Sequence, residues 1–301
     1  MSFDIYFVSE KNQSIDKDSF QKYISQLRYM GQEQIYHNPD TGVYFGFAFD
    51  EVDETEETIS IPTGYKRTGF VASINLIRPR FFAEEMMPIV EDICANLGLL
   101  VIDPQNHAIS GDGSPKEANS QELIESWAKR NKTAIMIFKE HVGLPHGGLP
   151  PYISRDKAEY WWDYQFHYQD LTNEFDGNVF VPNILLVKKS AENEVTTAIT
   201  WSDSIPFIFP ECDQVILVNT KQKRFLSRKP SPKIMGVIRS DILIDKLGHE
   251  LQTVNSSIGD IKALFPDQAK SAKEIFYKLK RELSPISFQG IASDNMIDVK
   301  V

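Results

Sequence analysis

Apolar residues in the first third of the chain recur with strand and helix periods in a regular order. The strand-like runs cover residues 3–8, 43–49, 70–77 and 99–102, and the helical stripes cover residues 20–27 and 82–97. Asp16 is placed to cap the first helix, and Gly98 is placed to end the second. Pro88 lies inside the second stripe, so we expect that helix either to begin or to kink there. This succession is typical of a ferredoxin-like βαββαβ fold.

A long helix and a linker follow this block. Asn119 and Glu122 have the spacing of a capping box, and apolar residues continue at helical spacing to Phe138. Residues 143–151 contain three glycines and three prolines, which indicates a linker. We therefore predict two domains. The first is a ferredoxin-like α+β domain with an extra helix (1–143), and the second is an α+β domain with a small antiparallel or mixed sheet (152–301).

The start of the second domain has an ambiguous period. Aromatic residues between positions 158 and 170 fit one face of a helix, but they also fit the alternation of a strand. Ser154 as a cap, with Leu171 and Phe175 continuing the stripe, favours the helix. Further strands are predicted at 179–187, 194–201, 214–219 and 234–238, helices at about 241–254 and 267–283, and an added edge strand at 296–301.

Composition agrees with a folded α+β protein that has a sizeable core. The 301 residues are 42% hydrophobic and 25% charged, which is near the average for globular domains. A chain of this length also exceeds what one hydrophobic core usually organises, and this supports the division into two domains.

The charge balance restricts the class of partner. The chain has 42 acidic and 32 basic residues and a formal charge of -10, and this balance repels nucleic acid and anionic membranes at long range and disfavours them as partners. No apolar run approaches the roughly 20 residues of a membrane-spanning helix. The N-terminal residues lack a signal-peptide pattern, and Cys94 and Cys212 are isolated, as suits a reducing compartment. We therefore expect a cytoplasmic protein.

The candidate catalytic residues are Asp163, His167 and Asp170. On a helix their spacing places all three on one face, where carboxylates and an imidazole could share a metal ion or act as an acid–base pair. The simpler interpretation is the solvated side of an amphipathic helix. The sequence contains no complete nucleophile elbow, zinc-protease helix, cysteine pair or phosphate-binding loop. No cofactor is predicted.

Two histidines near the linker form a weaker metal candidate. His141 and His146 flank a short Gly- and Pro-containing segment, but zinc sites normally have three or four ligands and no third ligand is evident nearby. The simpler interpretation is a pair of linker histidines.

Two short segments carry strong charge of opposite sign. Residues 50–57 hold six carboxylates, a pattern typical of a solvated hairpin tip. Residues 221–233 hold six cations, among them Arg224, Arg228 and Lys229. This basic patch is a candidate site for an anion, a nucleotide or an acidic partner, although a solvated loop explains it as well.

Aromatic residues give a candidate for partner binding. Trp161, Trp162 and Tyr164 belong to a run of aromatics that cannot easily all be buried by one helix. Because aromatic side chains dominate interface anchors, some of them could contact a partner. The alternative is packing inside the core.

Several short segments of the sequence, here called phrases, resemble those of a known protein family. They are residues 38–45, 78–82, 101–105, 179–182 and 201–210. In these phrases the chain resembles a family of uncharacterised bacterial proteins of similar length. The resemblance implies a bacterial cytoplasmic origin and a shared organisation, and it implies no catalytic residue.

These observations favour a non-enzymatic protein-interaction module, an immunity-like or regulatory accessory protein, with a protein as its partner. One alternative is a metal-assisted hydrolase that uses Asp163, His167 and Asp170. Another is an anion or nucleotide binder that uses the basic patch.

Overall fold

The computed structural model describes residues 1–13, 15–49, 61–104, 114–141, 148–189, 192–219 and 234–300. They form an α+β protein, as predicted. The chain divides into a first unit, Met1–Pro150 with Ser293–Val301, and a second unit, Pro151–Ala292. The sequence analysis placed the C-terminal residues in the second domain, whereas they belong to the first unit. No described helix is both long and apolar enough to cross a bilayer.

The first unit is built around an antiparallel sheet. Its described strands are β1 (Ser2–Glu10), β2 (Ile35–His37), β3 (Tyr44–Phe49), β4 (Tyr65–Asn75) and β5 (Leu100–Ile102). They lie in the order β2-β3-β4-β1-β5, and each neighbouring pair is antiparallel. The four predicted strands are present as β1, β3, β4 and β5. The three-residue strand β2 was not predicted.

The described helices of the first unit are α1 (Lys17–Ile24), α2 (Phe81–Leu97) and α3 (Ser120–His141). Asp16 caps α1 as predicted, since its Oδ1 accepts the backbone N–H of Ser19 at 2.7 Å. Pro88 lies inside α2, so the expectation that the helix begins there is wrong. Gly98, with φ of 65°, ends α2 in the left-handed conformation that glycine adopts without strain.

Aromatic rings pack α1 onto the sheet. The ring of Phe20 in α1 stacks on that of Phe70 with centroids 3.9 Å apart. It also meets Phe7 and Phe47 edge to face, at 5.5 and 6.1 Å. Such aromatic contacts add to the stabilisation that burial of the rings already gives.

A buried carboxylate on α2 organises the turn between β2 and β3. Glu85 is 5% exposed, and its Oε1 accepts hydrogen bonds from the Tyr36 hydroxyl and the Asn38 amide, both at 2.7 Å. Its Oε2 accepts a third from the Thr41 hydroxyl at 2.9 Å. Burial, reinforced by the Glu85 charge, raises the pKa of Tyr36, so that its phenol remains a donor. Three donors offset the desolvation of the carboxylate.

The C-terminal tail is held to the same turn and to the start of α2. The Ser293 hydroxyl donates to the carbonyl oxygen of Thr41 at 2.7 Å, and Asp298 Oδ2 accepts the backbone N–H of Arg80 at 3.0 Å. Gly42 has φ of 71°, and a Cβ there would lie 2.3 Å from Ser293 Oγ, so only glycine fits. The predicted edge strand in the tail is not present among its described residues.

The second unit contains two sheets. Its described strands are β6 (Leu185–Lys189), β7 (Thr196–Ser202), β8 (Phe207–Phe209), β9 (Gln214–Val218), β10 (Met235–Arg239), β11 (Gln252–Ser256), β12 (Gly259–Leu264) and β13 (Phe288–Gly290). One sheet has the order β10-β9-β7-β6-β13, in which β7 and β9 are parallel and the other neighbours antiparallel. The other sheet has the order β11-β12-β8 and is antiparallel.

The described helices of the second unit are α4 (Arg155–Phe166), α5 (Tyr168–Glu174), α6 (Ser240–Leu247) and α7 (Pro266–Lys278). The predicted helix at 241–254 is therefore too long, because its last residues belong to the hairpin of β11 and β12. Gly259, with φ of 97°, allows the tight turn of that hairpin. The strands β8, β12 and β13 were also not predicted.

A buried tryptophan joins α7 to the sheets. Trp201 is fully buried, and its Nε1 donates to the carbonyl oxygen of Ile205 at 3.0 Å. Its ring meets the edge of Phe276 in α7 at 5.1 Å and that of Phe209 at 5.3 Å. The indole therefore packs without leaving a buried donor unsatisfied.

The Glu85 contacts predict a large effect of a small substitution. We expect Glu85→Gln to lower the free energy of unfolding by about 2 kcal/mol, because hydrogen bonds to a charged acceptor are stronger than those to an amide. Urea unfolding followed by circular dichroism measures the change. Glu33→Gln, which removes an exposed carboxylate of the same unit, should change the free energy by less than about 0.5 kcal/mol. Equal losses in the two variants would contradict the structural role of Glu85.

Candidate functional site

The ambiguous segment at 158–170 is helical, as the capping argument favoured. It forms α4 and α5, which are separated at His167, where φ is -96° and ψ is 10°. Ser154 precedes α4 in extended conformation, although its side chain makes no capping hydrogen bond. The two helices give this segment one buried side and one exposed side.

Side chains on the buried side of α4 donate hydrogen bonds to the backbone of residues 182–184. Trp161 Nε1 donates to the carbonyl oxygen of Ile184 at 2.8 Å, and the Tyr164 hydroxyl donates to that of Pro182 at 2.6 Å. Trp161 is 5% exposed and Tyr164 is fully buried. Burial and the neighbouring phenols raise the pKa of Tyr164, so its hydroxyl remains a donor.

This burial corrects the prediction of a partner surface for two of its three residues. Trp161 and Tyr164 belong to the core of the second unit, because their rings are buried and their polar atoms have partners within the chain. They are not available as exposed anchors. Trp162, the third predicted residue, is partly exposed.

Trp162 forms a surface aromatic pair with a residue that the prediction left out. The centroids of the Trp162 and Phe166 rings are 5.5 Å apart, with an interplanar angle of 42°. Phe166 is 42% exposed, and its ring also meets the imidazole of His167 edge to face at 5.3 Å. The spacing of four residues along α4 brings the two rings together.

The three predicted catalytic residues do meet beside this pair. His167 Nε2 lies 3.6 Å from Asp163 Oδ1, and His167 Nδ1 lies 3.5 Å from Asp170 Oδ2. Both ring nitrogens thus face carboxylates, and all three side chains are at least a third exposed. We call Trp162, Asp163, Phe166 and Asp170 the aromatic–acidic face.

This arrangement does not provide a metal centre. In the described ranges, no three His, Cys, Asp or Glu side chains are grouped so that they could hold a metal ion. For the hypothesis of a metal-assisted hydrolase, the structure therefore offers one histidine between two solvated carboxylates. Ion pairs this exposed are worth little energetically.

Of the remaining predicted site residues, the structure describes His141. His141 is exposed, and its Nδ1 lies 2.7 Å from the carbonyl oxygen of Ile137 one turn earlier. His146, the basic patch with Arg224, Arg228 and Lys229, and the acidic run at 50–57 lie outside the described residues.

A polar cluster that the sequence analysis missed joins α4 to the start of β9. Lys157 Nζ lies 2.6 Å from Asp213 Oδ1, and Asp213 Oδ2 accepts hydrogen bonds from the backbone N–H and hydroxyl of Thr197 at 2.9 and 3.1 Å. These residues are far apart in sequence and have no common spacing, so no local signal could reveal them. The cluster fixes the position of the helix.

Cys212, beside this cluster, is poorly suited to be a nucleophile. Its Sγ lies 3.6 Å from the Ser240 hydroxyl oxygen. Burial raises the pKa of Cys212 to about 11, and the charge of Asp213 contributes in the same direction. Burial also raises the pKa of Tyr160, a neighbouring phenol on α4, to about 12. A protonated thiol and a protonated phenol supply neither a nucleophile nor a base at neutral pH.

Comparisons with protein-family models, with curated proteins and with solved structures give no match to this chain. Within the part of the chain described, the aromatic–acidic face combines partly exposed rings with carboxylates that are 48% and 66% exposed.

Neighbouring tryptophans should respond differently to truncation. We expect Trp161→Ala to lower the free energy of unfolding by about 3 to 5 kcal/mol, because it empties a core site and removes the donor to Ile184. Trp162→Ala should lower it by about 1 kcal/mol or less. Urea unfolding followed by far-ultraviolet circular dichroism distinguishes them. If Trp162→Ala is as destabilising as Trp161→Ala, the assignment of buried and exposed sides is wrong.

The Cys212 thiol should be unreactive in the folded protein. A pKa of about 11 leaves it protonated at pH 8, so we expect alkylation by iodoacetamide about 200-fold slower than for free cysteine. The rate should rise about tenfold per pH unit between pH 8 and 10, because the thiolate fraction rises in that proportion. Peptide mapping resolves Cys212 from Cys94. A rate within tenfold of free cysteine at pH 8 would contradict the assignment.

Proposed function

We propose that the chain is a non-enzymatic protein-binding protein, of the immunity-like or regulatory accessory kind, and that its aromatic–acidic face binds a basic protein partner. The observation that carries the proposal is the ring pair of Trp162, which is partly exposed, and Phe166, which is 42% exposed, on one side of a helix whose other side is packed in the core. Aromatic anchors of this kind supply most of the binding energy at protein interfaces.

The charges around the ring pair favour a basic partner. Asp163 and Asp170 lie beside the rings, and their side chains are 48% and 66% exposed. The chain as a whole has a formal charge of -10, so its electrostatic field adds to that of the two carboxylates. Complementary charge accelerates association and selects between partners, while the rings provide affinity.

The anchoring of α4 supports the proposal energetically. Trp161 and Tyr164 hold the helix to residues 182–184 by hydrogen bonds, and Lys157 holds it through Asp213. A surface that is already ordered loses little conformational entropy when a partner binds. The exposed rings are therefore presented in a fixed arrangement.

The proposal places the protein in the bacterial cytoplasm. Two observations support this setting: the resemblance of several sequence phrases to bacterial cytoplasmic proteins, and two cysteines that are both free thiols. A protein-interaction function also needs no cofactor, and no cofactor is predicted from the sequence.

A photo-crosslinking experiment tests the face directly. We expect p-benzoylphenylalanine in place of Phe166 to form one dominant adduct with a basic protein in cells of the natural host, because the probe would lie at the centre of the interface. Ile242 is the matched control position, since it is 39% exposed on α6 of the same unit. The probe there should yield at least about tenfold less of this adduct.

The charge requirement is tested in the same cells. Asp163→Asn with Asp170→Asn should reduce the adduct formed at position 166, because removal of the carboxylates weakens the attraction of a basic partner. Equal adducts at positions 166 and 242, an acidic protein as the captured species, or no adduct at position 166 would each contradict the proposal.

A further inference from the structure

A surface groove lies at the C-terminal end of α7, in the second unit. Its volume is about 590 Å³, and it is lined by Glu274, Tyr277, Lys278, Lys280 and Arg281. The first three residues belong to the helix, and the last two belong to the 3₁₀ turn that follows it, Leu279–Arg281. The volume lies within the range of small-molecule sites.

The groove is positively charged in an otherwise acidic protein. Three of its five lining side chains are cations, and one is a carboxylate. Lys278 Nζ lies 3.9 Å from Glu274 Oε2, but both side chains are 79% exposed, so solvent screens this pair. Lys280 and Arg281 form no ion pair with any residue that the structure describes. The adjacent Glu282 is paired with Lys246 at 3.0 Å.

The tyrosine gives the groove an aromatic wall of defined orientation. The ring of Tyr277 meets that of Phe276 edge to face, with centroids 5.7 Å apart and an interplanar angle of 89°. Phe276 is fully buried against Trp201, so it does not move freely. The Tyr277 hydroxyl has no hydrogen-bond partner within the described ranges, which leaves it available to a ligand.

Stabilisation of the helix explains only part of this arrangement. Cations near the C-terminus of a helix interact favourably with its dipole, and Lys278 in the last turn fits that role. The dipole effect falls off within one turn and requires no concavity. It therefore does not account for a groove in which Lys280, Arg281 and a tyrosine hydroxyl all lack partners within the chain described.

We propose that this groove binds a phosphorylated small molecule with an aromatic base, that is, a nucleotide. The guanidinium of Arg281 and the ammonium of Lys280 would hold the phosphates, since charge-assisted hydrogen bonds to phosphate are the strong contacts available to these groups. The Tyr277 ring would stack on the base. This site is separate from the aromatic–acidic face, and its ligand is of opposite charge to the proposed protein partner.

Isothermal titration calorimetry with two probes tests the proposal. The probes are ATP and inorganic tripolyphosphate, compared at one ionic strength of about 50 mM. We expect ATP to bind with a Kd below about 1 mM and at least about fivefold more tightly than tripolyphosphate, because only ATP can stack on the tyrosine.

Three variants separate the contributions of the groove. Lys280→Ala with Arg281→Ala should weaken binding of both probes at least about tenfold. Tyr277→Ala should weaken ATP about fivefold or more and leave tripolyphosphate within about twofold, and Tyr277→Phe, which keeps the ring, should retain most of the ATP affinity. Lys270→Ala with Lys273→Ala is the matched control: it removes two exposed cations of α7 outside the groove and should change either affinity by less than about twofold.

Three results would overturn the proposal. One is no heat of binding with ATP up to about 5 mM. Another is an equal loss of affinity in the Lys280→Ala, Arg281→Ala variant and in the Lys270→Ala, Lys273→Ala control, because that would show a general effect of charge. The third is an ATP affinity no greater than that of tripolyphosphate, since the site would then not recognise a nucleotide.

Discussion

The orientation of α4 depends on two buried aromatic side chains with polar tips, because each of them reaches a backbone acceptor. Residues 182–184 supply backbone carbonyl oxygens that accept from Trp161 and Tyr164. An indole N–H or a phenol buried without such a partner would lose its hydrogen bond to water and gain nothing in return. The helix is therefore fixed in rotation about its axis. Trp162 and Phe166 lie on the other side of the helix, where Trp162 is partly exposed and Phe166 is 42% exposed.

A buried carboxylate is matched by donors in a similar way in the first unit. Glu85 is a charged acceptor inside the core, and it is tolerated because the turn at 38–41 brings two donors to it and Tyr36 brings a third. Because the turn is held in this position, the Thr41 carbonyl oxygen can accept a hydrogen bond from the Ser293 hydroxyl. Satisfaction of one buried carboxylate thus links strand, helix, turn and C-terminal tail within one unit.

The class of fold and the long elements could be predicted from the sequence, because hydrophobic period, caps and terminal glycines are local signals. Asp16 and Gly98 show this, since each ends or begins a helix through contacts within a few residues. The side of α4 that is buried could not be predicted in the same way. Trp161 and Trp162 are adjacent and chemically equal, and the carbonyl oxygen that distinguishes them belongs to Ile184. The tail was misassigned for the same reason, because its partners are distant in sequence.

The two proposed sites lie in the second unit and have opposite charge, and net charge affects them differently. At the aromatic–acidic face, the formal charge of -10 adds to the attraction that Asp163 and Asp170 exert on a basic partner. At the groove, the same net charge opposes the approach of an anion, and only the cations within contact distance favour it. Added salt screens distant charges more strongly than contacts closer than the Debye length of about 8 to 10 Å. Added salt should therefore weaken association at the aromatic–acidic face more steeply than it weakens binding in the groove. In the groove it also relieves the repulsion between the anion and the net negative charge of the chain. One acidic protein can in this way bind both a basic macromolecule and a small anion.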